Sequence, residues 1–166
     1  MTNMNNTNKI TTLQLSTLVA LRFLIGWHLL YEGISKLLNA GWTSAGFLSE
    51  SKWVLSGFSQ WIISNSSVLH VIDFLNTWGL IAIGLSLIIG LFVQWSAISG
   101  ALLLLMYYMC NPPLIGLGYS TPFEGNYLIV SKTLIEAMAL LVLAIFPTSS
   151  VIGLDVFVPW FKKALK

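Results

Sequence analysis

Arg22, His28, Glu32 and Lys36 lie inside one long apolar run, Leu13 to Leu38. At about 100° per residue they fall near 0°, 240°, 280° and 320°, so all four share roughly a 120° arc of one helix face. An imidazole beside a carboxylate can take up and release protons. A lysine ammonium can steady negative charge that develops on a bound oxygen. The last apolar run repeats the idea with Lys132 and Glu136 one helical turn apart, and the second adds His70, Asp73 and Asn76 near its start. The chemistry on offer is proton exchange combined with cationic capture of an oxygen-bearing ligand. His28, Glu32 and Glu136 are the candidate proton-handling groups; Arg22, Lys36, Asp73, Asn76 and Lys132 are the candidate binding groups.

A purely structural reading competes with this one. Glu32 with Lys36, and Lys132 with Glu136, have the i,i+4 spacing of helix ion pairs, and lysines near a membrane surface can snorkel to water. Yet a charge at the centre of a bilayer costs about 2.5–3.5 kcal/mol even on the lenient insertion scale. Several such groups on one face, answered on two other runs, is a large cost for adhesion alone. Two histidines and scattered carboxylates show neither HxxxH nor ExxH spacing, so no metal site is expected.

The elements that must position these groups follow from composition. Only 8 % of the 166 residues are Asp, Glu, Lys or Arg, while 56 % are hydrophobic. Soluble domains carry roughly 25 % charged residues, because their surface faces water. The outer surface of this chain must face something apolar, which identifies a single-domain integral membrane protein. A net charge of +2, without a basic run interleaved with aromatics, gives no footprint for nucleic acid. The lone cysteine, Cys110, excludes an internal disulfide, a CxxC pair and a cysteine-rich zinc site. No flavin, haem or iron–sulfur motif is visible, so any redox chemistry needs a quinone or a partner protein.

Four runs approach the roughly 20 apolar residues that cross a bilayer as a helix: 13–38, 68–93, 95–110 and 127–146. A polar break at Gln94 separates the second from the third; Asn111-Pro112-Pro113 and Pro147 end the third and fourth. The fold class expected is all-α: a bundle of four transmembrane helices with interfacial helices in the first outer loop. Residues 1–12 read as a mobile polar tail. The first run is too long for a secretory signal, so it is expected to stay as an anchor. Lys9, Lys162, Lys163 and Lys166 place both termini in the cytoplasm by the positive-inside rule.

The connection 40–67 sets Trp42, Phe47, Trp53, Phe58 and Trp61 in a Ser-rich frame, which suits helices lying at the outer headgroup level. Residues 150–166 read as a similar piece on the inner face. Ala82, Ser86 and Gly90, with Ser96 and Gly100, give small-residue spacing for close helix packing. This topology gathers Glu32, Lys36, His28, Asp73, Asn76, Lys132 and Glu136 within roughly 15 Å of the outer surface at 1.5 Å per residue. Arg22 alone lies toward the cytoplasmic half. The expectation is an outward-facing polar pocket roofed by the Trp-rich connection, with Lys132 and Glu136 opposite the first helix.

"RFLIGWHLLYEGISKLL", then "GWTSAGFL", a second span containing Trp-Gly-Leu, "NPP" after the third and a closing "GLD" resemble the DoxX/DoxD group over about Leu18 to Asp155. The resemblance implies a small four-helix protein of a bacterial or archaeal plasma membrane. It also implies a link to redox partners, the DoxD type being the small membrane subunit of a thiosulfate:quinone oxidoreductase. Arg22, His28, Glu32 and Lys36 would then line the family's polar site. Three functions stay open at this stage. The first is a redox subunit passing electrons from an outer donor, such as thiosulfate, to membrane quinone. The second is a non-catalytic anchor for a soluble partner. The third is a small-anion permease working as an oligomer.

Overall fold

The computed structural model describes residues 11–114, 116–117, 119, 128–146 and 148–157. Among these, every regular element is helical: α1 (Thr12–Leu38), α2 (Ala45–Ser49), α3 (Ser56–Ser64), α4 (Ser66–Ile89), α5 (Val93–Cys110) and α6 (Lys132–Ile145), followed by 3-10 turns at Thr148–Ser150 and Leu154–Phe157. Lys9, Lys162, Lys163 and Lys166, which carry the orientation argument, lie outside the described residues.

α1, α4 and α5 are long and apolar enough to cross a membrane. Their outward faces carry Phe23, Leu24, Trp27, Phe74, Trp78, Leu102 and Met106, all exposed. So much exposed apolar area, wrapped round helices of spanning length, makes this a membrane protein. α6 is shorter than the run 127–146 from which a span was expected. Its 14 residues reach about 21 Å against a hydrocarbon core of about 30 Å. The reason is local. Leu128 adopts a left-handed conformation, φ 61°, and the Ser131 hydroxyl then caps the helix by accepting from Leu134 N at 3.3 Å.

α1 opens with a capping box: Thr11 Oγ1 accepts from Gln14 N at 3.3 Å, and Gln14 Oε1 accepts from Thr11 N at 2.8 Å. The α4–α5 turn lies earlier than the polar break at Gln94. Gly90 takes φ +72° and ends α4, its N–H and that of Leu91 both donating to Ser86 O at 3.0 Å. Phe92, also left-handed at φ 53°, starts α5, so Gln94 falls inside the helix.

α1 and α4 run antiparallel in the closest contact of the fold. A Cβ on Gly84 would sit 2.5 Å from Leu30 N and 2.7 Å from Gly26 O, and one on Gly33 would sit 2.7 Å from the Ile81 side chain. Close backbone approach replaces the hydrophobic effect in lipid, and this row, not Ala82 or Ser86, supplies it on α1–α4. Ser86 and Ser96 instead meet across α4–α5 at 2.6 Å. Gly100 lets Leu140 of α6 and Ile83 of α4 close in on α5. The core is Ile25, Leu29, Leu80, Leu87, Val93, Ala97, Ala101, Leu104, Ala137, Leu140, Leu143 and Ala144. It holds the four larger helices in one bundle.

Candidate functional site

The C-terminal end of α1 brings a lysine under a tryptophan. α1 stops at Leu38, and Asn39 reverses the chain: its Oδ1 accepts from Gly41 N at 3.2 Å and its carbonyl from Trp42 N at 2.9 Å. Trp42 therefore folds back over its own helix, with Lys36 Nζ 4.9 Å from its ring centroid and 5.6 Å from that of Tyr107 on α5. Such contacts contribute about 0.5–2 kcal/mol each, more where water is excluded. Lys36 Nζ also lies 3.2 Å from Glu32 Oε1 and donates to Asn76 Oδ1 of α4 at 3.1 Å.

Around this ammonium lies a cavity of about 250 Å³ lined by Glu32, Lys36, Trp42, Ser44, Phe47, Asn76 and Tyr107. Asn76 Oδ1 accepts a second bond, from Tyr107 Oη at 2.9 Å, which fills both its lone pairs. The Asn76 amide nitrogen makes no hydrogen bond among the described residues, so its two N–H donors remain available. Lys36 has three donors, of which Glu32 and Asn76 engage two. Phe47 closes the wall edge-on to Tyr107, centroids 5.6 Å apart at 64°. The cavity thus offers spare N–H donors and aromatic faces, a setting for a flat or compact group with oxygen acceptors.

The other ionisable groups of α1 do not line this cavity. His28 Nδ1 meets Glu136 Oε1 of α6 at 2.6 Å; the histidine is partly exposed and the carboxylate nearly covered. His28 lies one turn below Glu32 on the same face, so the pair continues the polar row away from the cavity. Lys132 is exposed and, among the described residues, forms no ion pair with Glu136. The expected opposite wall of Lys132 and Glu136 is replaced at the cavity by Asn76 and Tyr107. Glu136 has a partner across the helix seam because His28 faces it there.

Asp73 sits beside the cavity, not on it. Its Oδ1 accepts from Ser44 N at 2.8 Å and from Ser44 Oγ at 2.5 Å, and its Oδ2 from Thr43 Oγ1 at 2.8 Å. His70 is exposed on α4 and does not line the cavity. Arg22 belongs to the opposite end of the bundle. It is 4 % exposed and donates to Thr148 Oγ1 at 3.0 Å and to Ile152 O at 2.9 Å. Asp155, also buried, accepts from Phe92 N at 2.8 Å, while its own N–H donates to Gly90 O at 3.0 Å. Arg22 and Asp155 thereby fasten residues 148–157 onto α1 and the α4–α5 turn. Among the described residues no three His, Cys, Asp or Glu groups gather as metal ligands.

Tyr107, Ser44 and the inward role of Trp42 and Phe47 escape sequence reasoning. One signal was present: a phenol inside an apolar span needs a partner for its hydroxyl, and Tyr107 lies one turn before the end of α5. Of the Trp-rich connection, only its first part covers the cavity; Trp53, Phe58 and Trp61 are exposed. No protein-family model, curated protein or solved structure matches the chain.

Proposed function

We propose that this protein is a DoxX-like membrane subunit of a redox system, and that the Lys36 cavity receives the carbonyl head of a membrane quinone. The observation that carries the reading is the unengaged N–H donors of Asn76 and Lys36 inside an aromatic-walled cavity. Drug-sized ligands occupy roughly 300–1,000 Å³, so about 250 Å³ suits a ring or a small oxyanion. An isoprenoid tail would lie outside, along the apolar helix faces.

A quinone supplies two-electron acceptor chemistry, becoming a quinol as two protons are added. The residues here would bind and orient it. Lys36 Nζ and Asn76 Nδ2 donate to a carbonyl oxygen and favour the charge that builds there on reduction. Trp42, Phe47 and Tyr107 would flank the ring with their aromatic faces and edges. Glu32 is half exposed beside Lys36, and His28 with Glu136 follows one turn away, a row able to deliver protons. The electrons come from a donor such as thiosulfate, or from a partner protein carrying the electron centre.

In this reading α6 with its flanks makes the fourth crossing, and both termini are cytoplasmic in a bacterial or archaeal plasma membrane. α2 and α3 then lie at the outer surface. The exposed, stacked Phe58–Trp61 pair on α3, centroids 5.9 Å apart, supports a second reading, an assembly subunit whose outer face anchors a partner. Permeation draws less support, because Arg22, the one group that would extend the polar row across the bilayer, is locked in a buried knot. Quinone reduction by the native membrane complex carrying Lys36→Met tests the redox reading. An undiminished rate would end it and leave the assembly role.

A further inference from the structure

We propose that Asp73 is a positioning residue that holds the Trp42–Ser44–Phe47 roof in place over the half-open Lys36 cavity, and that residues 42–49 are the wall that yields when a ligand enters. This deepens the reading above and rests on the cavity being a ligand site.

The walls of the cavity are unequal. Glu32 and Lys36 stand on α1, Asn76 on α4 and Tyr107 on α5. Two of these helices, α1 and α4, are packed backbone to backbone: at Gly33 and Gly84 a methyl group has no room, and at Gly26 it would press on Leu87 and Ile88. The roof is Trp42, Ser44 and Phe47, from one short segment whose helix, α2, has five residues. A helix that short does not hold itself together in isolation. Openings that admit ligands are drawn from such low-stability elements.

Besides the Asn39 turn that holds Trp42 N–H and the Asn111 carboxamide beside the Phe47 carbonyl, four contacts keep the roof down. Trp42 lies on Lys36, and Phe47 lies edge-on to Tyr107. Leu48 is buried with Ile62 and Cys110, which pins the far side of the segment as a pivot. The fourth is Asp73, which takes both the N–H and the hydroxyl of buried Ser44 and the hydroxyl of Thr43. The two aromatic contacts are made to groups that an entering ligand would itself touch, so the ligand competes with them. Asp73 lies outside the cavity, and its carboxylate is committed to uncharged donors of the roof. It therefore sets how readily the roof lifts without meeting the ligand.

The test uses the full-length protein in lipid nanodiscs and reads Trp42 directly. Acrylamide quenching is measured for each variant and for the same variant carrying Trp42→Phe, the difference isolating Trp42 from the other tryptophans. Asp73→Ala should raise the Trp42-specific quenching constant about threefold, the loss of a charged acceptor shared by three donors. Ser44→Ala with Thr43→Ala removes two of the three clamp bonds from the other side, leaving the Ser44 N–H, and should raise the constant in the same direction by a smaller factor, even if Asp73→Ala fails to fold. Adding Ser44→Ala to Asp73→Ala should change little more, since the two act through one contact. With a short-chain ubiquinone analogue as probe, Asp73→Ala should speed both association and dissociation, a signature that damage to the binding groups does not give. Unchanged Trp42 quenching in both clamp variants would overturn the proposal. Raised quenching in a protein whose wild type binds no quinone would uphold the clamp and remove the quinone reading instead.

Discussion

One helix, α1, carries a cation toward each end, and the two have opposite fates. Arg22 is buried, and two of its nitrogens are spent on the Thr148 hydroxyl and the Ile152 carbonyl. Those bonds tie the C-terminal turns to the bundle. Lys36 is nearly as covered, but it borders a cavity and shares its ammonium among a half-exposed carboxylate, a carboxamide and two rings. A charge in an apolar helix is therefore not in itself a functional signal. Arg22 Nε is also left without a hydrogen-bond partner, but it is buried; what separates the two ends is the open space that borders the spare donors at Lys36.

The comparison breaks first at the Arg22 end. Arg22→Ala strips two hydrogen bonds from a buried charged donor and strands the Thr148 and Ile152 acceptors, an expected loss of about 3 kcal/mol. Thermal unfolding in detergent should show it, while ligand affinity in the surviving folded fraction stays unchanged. Gly84→Ala should come next, at about 2 kcal/mol, because the added methyl has no space against Leu30 and Gly26. That variant also loosens α1 from α4, so it should weaken the Lys36–Asn76 contact and binding together with stability.

Lys36→Met should do the reverse of Arg22→Ala. Glu32 is half exposed and stays solvated, and the Met side chain still packs against Trp42 and Tyr107, so unfolding should move by about 1–2 kcal/mol, less than at Arg22, while equilibrium titration shows at least about a tenfold loss of quinone affinity. Tyr107→Phe is the smallest expected change. The ring and its packing remain, but the second donor to Asn76 Oδ1 is lost, freeing the amide to rotate. An affinity loss of about threefold is expected in the same titration.

Much of this layout is written in the order of residues. The polar face of α1 is legible because helical phase alone aligns His28, Glu32 and Lys36. The end of α5 is legible because Asn111 precedes two prolines. Hydropathy hides the end of α4, because it runs straight through Leu91-Phe92-Val93; Gly90, whose positive φ stops the helix, fits a small-residue packing pattern equally well. Glu136 was paired by spacing with Lys132, yet its partner lies across the seam on α1, and pairing between helices depends on their rotation about their axes. Asp73 looked like a ligand group for a similar reason: nothing in its own segment reveals that Thr43 and Ser44 arrive from a turn thirty residues earlier. Tyr107 is not legible in sequence, because an aromatic in an apolar run has the same pattern as lipid-facing surface and only the fold brings Asn76 to its hydroxyl.

The most direct test of the central contrast is ligand-induced stabilisation, measured as the rise in melting temperature of the purified protein with increasing short-chain ubiquinone analogue. A ligand that binds only the folded state stabilises it in proportion to the logarithm of one plus the ratio of its concentration to its dissociation constant, by about 2.7 kcal/mol at a hundredfold ratio. The expected result is a concentration-dependent rise for the wild type and for Lys132→Gln, and a rise for Lys36→Met and Asn76→Leu that needs at least about tenfold more ligand. An equal rise in all four would contradict it, placing any quinone site away from Lys36.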